Sequence, residues 1–184
     1  MLSGLRRAVF ARVCLGLDEF ALAVSAFSGG RSMTQQQTIA GNDGQILPLP
    51  FHLSTMCHSL AEARQFYTGI LGCDERRATS TSAHFNLFGS QLTLHEVAGF
   101  NAEHVQRKVD AEDVPVPHFG GALDEDAFHA VAGRLREAGW FFILEPHKRF
   151  VDKGWEQWVL FVLDPSGNAI ELKSFTKVPV GQWV

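Results

Sequence analysis

From residue 50 onward the sequence repeats one plan, and this repeat constrains the fold more than any other feature. Each half opens with a short apolar segment that carries a histidine, continues into a helical pattern, and closes with a strand after a glycine turn. The opening histidines are His52 and His118, and the closing strand of the second half carries Glu171. Aligning the two closing strands places Thr93 at the position of Glu171. The repeat predicts two similar α+β modules.

The apolar spacing in each half predicts one helix that covers one face of a sheet. Residues 60–71 place apolar side chains on one side, and Gly72 ends the pattern. Residues 128–138 repeat the stripe, and Gly139 ends it. The charged, proline-punctuated segment 108–117 between the halves is predicted to be a linker.

The segment before the repeat is predicted to be an extension. Arg6, Arg7 and Arg12 precede the first acidic residue, Asp18, which resembles an organelle transit peptide. The alternative is that Met33 starts the protein and leads into a disordered segment. The expected location is therefore cytoplasmic, or organellar if the extension is a transit peptide. The predicted boundaries are 1–48 for the extension, 49–177 for the domain (modules 50–98 and 116–176) and 178–184 for the tail.

Composition excludes several classes of function. The net charge is −4 and the basic residues are scattered, so neither nucleic acid nor a membrane surface is an expected partner. The three cysteines form no C-x-x-C pair, which argues against a zinc knuckle or a disulfide framework. Fifteen phenylalanines and four tryptophans imply a large aromatic core or an apolar ligand cavity.

The repeated histidines and the glutamate form a candidate metal site. Alternation in a strand turns Glu171 away from its apolar neighbours Ile170 and Leu172. A carboxylate in such surroundings needs a cation or hydrogen bonds, and the neutral imidazoles of His52 and His118 are suitable co-ligands. Two histidines and one carboxylate leave coordination positions open, as in catalytic iron and zinc sites.

Each of the three residues also has an ordinary structural interpretation. His52 alone is typical of a hydrogen-bonded core or edge histidine, and His118 could cap a strand. Glu171 could face solvent and pair with Lys173 or Arg149. The coincidence of all three at repeat-equivalent positions favours the metal site.

Other residues are candidates for the chemistry around the metal. His95 lies two residues after Thr93 and faces the same way, so it is a candidate fourth ligand, acid–base group or second-shell donor. An anionic substrate could contact Arg149, or that residue could belong to a solvated loop. The aromatic residues Trp155 and Trp158 are candidates for substrate contact.

The same residues resemble the vicinal oxygen chelate superfamily of glyoxalase I, fosfomycin-resistance enzymes, bleomycin-resistance proteins and extradiol dioxygenases. The resemblance covers about residues 50–177, and its most specific part is the closing segment 164–172. It implies two βαβββ modules that form a cup-shaped mixed sheet, and a divalent ion, iron, manganese, nickel, zinc or cobalt, held by His52, His118 and Glu171. Fosfomycin-type members carry a hydroxyl two residues after the first histidine, where this sequence has Ser54. The resemblance therefore makes Ser54 a candidate substrate contact.

The resemblance implies two alternative functions. One is a metal-dependent enzyme, dioxygenase-like or glyoxalase-like, in which Glu171 and His95 take part in catalysis on adjacent oxygens of a small substrate. Thr93 stands where glyoxalase I has an acidic ligand, which argues against a typical lactoylglutathione lyase. The other is a metal-free drug-binding protein of the bleomycin-resistance type. A homodimer is expected by analogy with the family.

Overall fold

The computed structural model describes residues 38–40, 46–48, 50–109 and 112–176. The predicted transit peptide, the alternative start at Met33, and the tail 178–184 lie outside the described residues. The chain divides into two units, Met1–Leu49 and Pro50–Val184. In the first unit, strand β1 (Thr38–Ala40) pairs antiparallel with β2 (Ile46–Pro48). No helix in the described part of the chain is long and apolar enough to cross a membrane.

The second unit contains two four-stranded sheets with the same strand order, as the repeat predicts. The first module comprises β3 (His52–Cys57), β4 (Asp74–Ala78), β5 (Ser82–Leu87) and β6 (Ser90–Glu96), ordered β3-β6-β5-β4. The second comprises β9 (Phe119–Ala122), β10 (Phe142–Arg149), β11 (Gln157–Leu163) and β12 (Ala169–Phe175), ordered β9-β12-β11-β10. In each sheet the opening strand runs parallel to the closing strand. The predicted fold of two βαβββ modules is confirmed.

Each module has one helical segment after its first strand. In the first module, α1 (Leu60–Arg64) continues as a π-helical turn over Gln65–Ile70, and Gly72 follows with φ +79°. The wider turn differs from the regular helix that the apolar spacing predicts. In the second module, α2 (Glu125–Glu137) begins at Asp124, whose side chain accepts a hydrogen bond from Ala127 N at 2.7 Å.

The helical segments and the inner faces of both sheets form one core. Its largest fully buried side chains come from both modules and include Phe66, Tyr67 and Phe85 of the first and Phe128 of the second. This aromatic burial accounts for the high phenylalanine content through packing.

A polar turn also ties the modules together. Asp164 Oδ1 accepts hydrogen bonds from the backbone N–H groups of Ser166 and Asn168, at 2.8 and 2.9 Å. The amide of Asn168 donates to the Met56 carbonyl at 3.0 Å, and Ser166 Oγ accepts from His58 N at 2.9 Å. The closing sequence motif therefore forms a turn whose side chains cross to the first module.

The segment between the modules is not the irregular linker that its charge and prolines predict. Strand β7 (Val105–Val109) pairs antiparallel with β8 (Glu112–Val116) to form a hairpin. Alternation within this segment is short and interrupted by charge, so its pairing could not be distinguished from a loop in the sequence.

Candidate functional site

The second sheet presents Glu171 on the face away from helix α2. In the register of the sheet, Glu171 lies beside Gly120 on β9 and Phe161 on β11. The residue is 8 % exposed, so it is not the solvent-facing strand residue of the ordinary interpretation. An ideal Cβ at Gly120 would lie 1.6 Å from the Glu171 carbonyl oxygen, so only glycine allows this backbone approach. Gly120 thereby allows β9 to pair closely with β12 at Glu171.

His118 lies just before β9 and faces the same carboxylate. Its Nδ1 donates a hydrogen bond to the Pro115 carbonyl oxygen at 2.7 Å. That bond places a proton on Nδ1, so the neutral ring keeps its lone pair on Nε2. Nε2 lies 3.4 Å from Glu171 Oε2, and the His118 side chain is 29 % exposed. A carbonyl that fixes the tautomer in this way is the usual second-shell arrangement of a metal-ligating histidine.

Lys173 shares the carboxylate. It lies two residues after Glu171 on β12, therefore on the same face, and its Nζ is 2.8 Å from Glu171 Oε2. Of the two cations considered from the sequence as partners for Glu171, Lys173 pairs with it in the structure. The buried carboxylate is partly neutralised by this ammonium.

The hairpin β7–β8 lies over this face of the second sheet. His147 Nε2 is 2.7 Å from Glu112 Oε1, and Arg149 Nε is 3.2 Å from Glu112 Oε2. Arg149 also donates to the Val109 carbonyl at 3.0 Å. Beneath the hairpin, Val159 is fully buried. The hairpin thus covers the part of this face that carries His147 and Arg149 and supplies, through Pro115, the hydrogen-bond acceptor that orients His118.

The first sheet presents its own polar face. His52, Ser54 and His95 lie on this face and are exposed. They share the face because the parallel register places Ser54 beside Thr93 and Met56 beside His95. On β5, His84 lies beside Thr93, with Nδ1 3.0 Å from Thr93 Oγ1. The predicted correspondence of Thr93 with Glu171 agrees with the register. Thr93 lies beside Ser54, two residues after His52, and Glu171 lies beside Gly120, two residues after His118.

The structure brings together two of the three predicted metal ligands. His118 and Glu171 lie on the second sheet, whereas His52 lies on β3 of the first sheet. Among residues 50–109 and 112–176, no three histidine, cysteine, aspartate or glutamate side chains are grouped closely enough to hold a metal ion. The imidazole of His118 and the carboxylate of Glu171 suit a divalent ion, but within one chain the third predicted ligand, His52, lies on the other sheet.

The predicted substrate contacts occupy different places. Ser54 lines a cavity of about 180 Å³ that His118 also lines. Trp158 lies on the opposite face of the sheet, where Nε1 donates to Glu125 Oε1 at 2.9 Å. Trp155 is 42 % exposed before β11, and Arg149 is 8 % exposed beneath the hairpin. Their roles in substrate binding stay predictions.

Sequence reasoning missed two residues at the site. His104 lines the cavity beside His118, and its Nδ1 is buried without a hydrogen-bond partner among the described residues. Lys173 was considered only as a partner in a solvent-facing pair. Its spacing of two residues from Glu171 on one strand was the signal that places it at the site.

Comparisons with known proteins agree with this architecture. The family model described as "Glyoxalase/Bleomycin resistance protein/Dioxygenase superfamily" matches residues 50–172. The chain belongs to this superfamily. The match begins just before the His52 strand and ends just after Glu171, so it spans both modules of the vicinal oxygen chelate fold. A comparison with curated protein sequences finds no match.

Solved structures of the superfamily share the fold. The chain is 26 % identical to a glyoxalase/bleomycin resistance protein/dioxygenase from Alicyclobacillus acidocaldarius, with a TM-score of 0.57 over 70 % of this chain and 92 % of that one. A glyoxalase/bleomycin resistance protein/dioxygenase domain from Frankia sp. EAN1pec is 21 % identical, with a TM-score of 0.52 over 67 % of this chain and 94 % of that one. A glyoxalase/dioxygenase from Nostoc punctiforme is 17 % identical, with a TM-score of 0.52 over 68 % and 90 %.

Proposed function

We propose that this chain is a divalent-metal-dependent enzyme of the superfamily, dioxygenase-like or glyoxalase-like, that acts on adjacent oxygens of a small substrate. The orientation of His118 carries the proposal. The Pro115 carbonyl holds the Nδ1 proton, so the Nε2 lone pair faces Glu171 Oε2 across 3.4 Å. An imidazole lone pair and a carboxylate repel each other at that distance unless a proton or a cation lies between them.

His52, His118 and Glu171 would hold the ion, with His52 supplied by a second copy of the chain. His52 is exposed on the first sheet, while His118 and Glu171 belong to the second sheet of the same chain. A homodimer in which the first sheet of one copy faces the second sheet of the other would complete the set. The bound ion would polarise adjacent substrate oxygens as a Lewis acid. Iron, manganese, nickel, zinc and cobalt all accept these ligands.

The surrounding residues of the chain would serve this site in distinct ways. In the hairpin β7–β8, Pro115 orients the ligand imidazole. Lys173 holds Glu171 by an ion pair of 2.8 Å. His95 is exposed on the same face as His52 and is the candidate acid–base group, with Ser54 as a hydroxyl contact for the substrate.

A mixed dimer tests both the ligand set and the shared site. Wild-type protein, purified without an affinity tag, should carry about one divalent ion per chain by elemental analysis, and His52→Ala and His118→Ala should each lose it. Refolding these two variants together should restore metal to one site in each mixed dimer, because that site combines wild-type His52 with wild-type His118 from different copies. The matched control is His129→Ala, since His129 lies on α2 with a 45 % exposed side chain.

Two results would contradict the proposal. Full metal retention in His118→Ala would show that His118 is not a metal ligand. A mixture that binds no more metal than the separate variants, although each binds none and the mixture is dimeric by sedimentation, would show that the ligands do not come from two copies.

A metal-free small-molecule binding protein is the second candidate, and the Lys173 ion pair favours it. Its ammonium lies 2.8 Å from Glu171 Oε2 and neutralises the carboxylate without a metal. If this function is correct, wild-type protein stays metal-free after incubation with each of the five ions, and Lys173→Met destabilises the fold because Glu171 loses its partner. If the enzyme function is correct, Lys173→Met keeps about one ion per chain.

A further inference from the structure

An open cavity on the first module lies away from the His118–Glu171 pair. Its volume is about 350 Å³, and its lining includes Arg76, His84, Asn86 and Gln91. It is on the polar face of the first sheet, where Asn86 lies beside Asp74 on one side and Gln91 on the other. The lining therefore consists largely of side chains with hydrogen-bond donors.

His84 contacts side chains of both neighbouring strands at this cavity. Arg77 Nη2 lies 3.4 Å from His84 Nε2, and a guanidinium has only donors, so Nε2 accepts this hydrogen bond. Nδ1 lies 3.0 Å from Thr93 Oγ1 and 3.2 Å from Gln91 Nε2. Burial, Arg77, His52 and His95 lower the pKa of His84. His84, which lines the cavity, thus links it to the Arg77 guanidinium.

Two guanidinium groups near this cavity lack a strong anionic partner: Arg76 lines it, and Arg77 contacts the lining residue His84. Arg76 contacts Asp74 at 3.3 Å, but the two side chains are 66 % and 69 % exposed, and such surface pairs contribute little. Within the described ranges, Arg77 forms no ion pair with a carboxylate. The side-chain oxygen of Asn86 accepts from Gly89 N at 2.8 Å, which leaves the amide Nδ2 as a donor.

We propose that this cavity binds an oxyanion, the carboxylate or phosphate group of a small ligand, through the guanidinium groups of Arg76 and Arg77 and the amide of Asn86. Planar guanidinium groups bind carboxylate and phosphate oxygens in a bidentate manner, and open space beside them allows a ligand to enter. The inference rests on the proposed function and deepens it, since it assigns an anionic substrate to the polar face that carries His52 and His95.

Nuclear magnetic resonance of protein labelled with ¹⁵N at arginine and histidine tests the cavity directly. Inorganic phosphate and succinate are titrated separately at constant ionic strength, and the Arg77 Nε and His84 ring signals are followed. At least one of the two probes should give saturable shifts, and the stronger probe identifies the oxyanion class. Arg77→Gln should weaken that binding about tenfold or more, as expected for the loss of a charge-assisted hydrogen bond.

Matched variants separate a site from general charge effects. Arg77→Lys keeps the positive charge but loses the planar, bidentate donor geometry of the guanidinium, so it should retain part of the affinity. Arg136→Gln should leave binding unchanged, because Arg136 pairs with Glu145 on another surface. Absence of saturable shifts with both probes, or equal affinity in Arg77→Gln and wild type, would overturn the proposal.

The same measurement distinguishes this proposal from the proposed function. Anion binding that persists in His118→Ala would show that the subsite does not need the metal ligands. Anion binding by wild-type protein that takes up no divalent ion would support the subsite and contradict the metal-dependent activity. Metal binding without anion binding would support the activity and overturn the subsite.

Discussion

The hydroxyl of Tyr67 donates a hydrogen bond to Asp164 Oδ2 at 2.9 Å and joins the two modules through the core. Both residues are buried, with exposed fractions of 0 % and 4 %. Burial raises the pKa of Asp164 from 3.8 and the pKa of Tyr67 well above 10. The only tyrosine of the chain is therefore a structural donor, in agreement with its position on the predicted apolar stripe.

Removal of this hydroxyl should weaken the fold. Tyr67→Phe keeps the ring against Phe66 and Phe85 but removes one of the two hydrogen bonds to Asp164 Oδ2. The bond from Asn168 Nδ2 remains, and the free energy of unfolding should fall by about 1.5–3 kcal/mol. Urea denaturation measures this change. The control is Thr176→Val, which removes a less buried hydroxyl bonded to the Glu156 carbonyl and should cost less than about 1.5 kcal/mol. Equal losses in both variants would contradict the special role of the Tyr67 bond.

Gly120 should not tolerate a side chain. In Gly120→Ala the new Cβ would lie 1.6 Å from the Glu171 carbonyl oxygen, so β9 or β12 must move. We expect a loss of about 1–3 kcal/mol in thermal or urea unfolding, together with weaker metal binding through the displaced carboxylate. Gly133→Ala is the control, because nothing lies within 4 Å of its Cβ and alanine favours a helix. That variant should gain about 0.4–1 kcal/mol.

The hairpin over the second sheet should loosen when its charged contact is removed. Glu112→Gln weakens the contacts to His147 and Arg149, and hydrogen exchange of the backbone amides in β7 and β8 should become faster by about tenfold or more. Lys108→Gln is the control, because the Lys108–Asp113 pair lies on the same hairpin with side chains 68 % and 58 % exposed. Equal exchange rates in wild type and Glu112→Gln would show that other contacts hold the hairpin.

The two described cysteines should not react in the native state. Cys57 and Cys73 are 0 % and 3 % exposed, and burial raises their pKa values from 9.0 to about 11 and about 12. In a Cys14→Ser background at pH 8, a thiol reagent should therefore label them only at the rate of unfolding. Rapid labelling of either thiol in folded protein would contradict this burial.

The same pKa shifts predict a loss of stability at alkaline pH. Between 9.0 and about 11, the unfolded chain releases the Cys57 proton while the folded chain keeps it, so the stability from this thiol is complete below 9.0 and declines above it. Cys57→Ala should reduce this decline in urea denaturation measured from pH 8 to 10.

Local patterns in the sequence were sufficient for the repeated part of the fold. Apolar periodicity and glycine turns predicted the two modules, and the alignment of Thr93 with Glu171 predicted their common register. Such features depend on neighbours a few residues apart, so they can be read without knowledge of the packing. The same reasoning placed Glu171 opposite its apolar neighbours and identified His118 as its companion.

Only the tertiary structure decided which residues from distant segments meet. The hairpin β7–β8 folds over the second sheet and buries Arg149 beside Glu112. It also brings the Pro115 carbonyl within hydrogen-bonding distance of His118 Nδ1. His52 is equivalent to His118 in the repeat, but it lies on the other sheet of the same chain. The sequence determined which side chains of each module share a face, because alternation along a strand is local. Their partners depend on how the modules and the hairpin pack, and no local pattern records that packing.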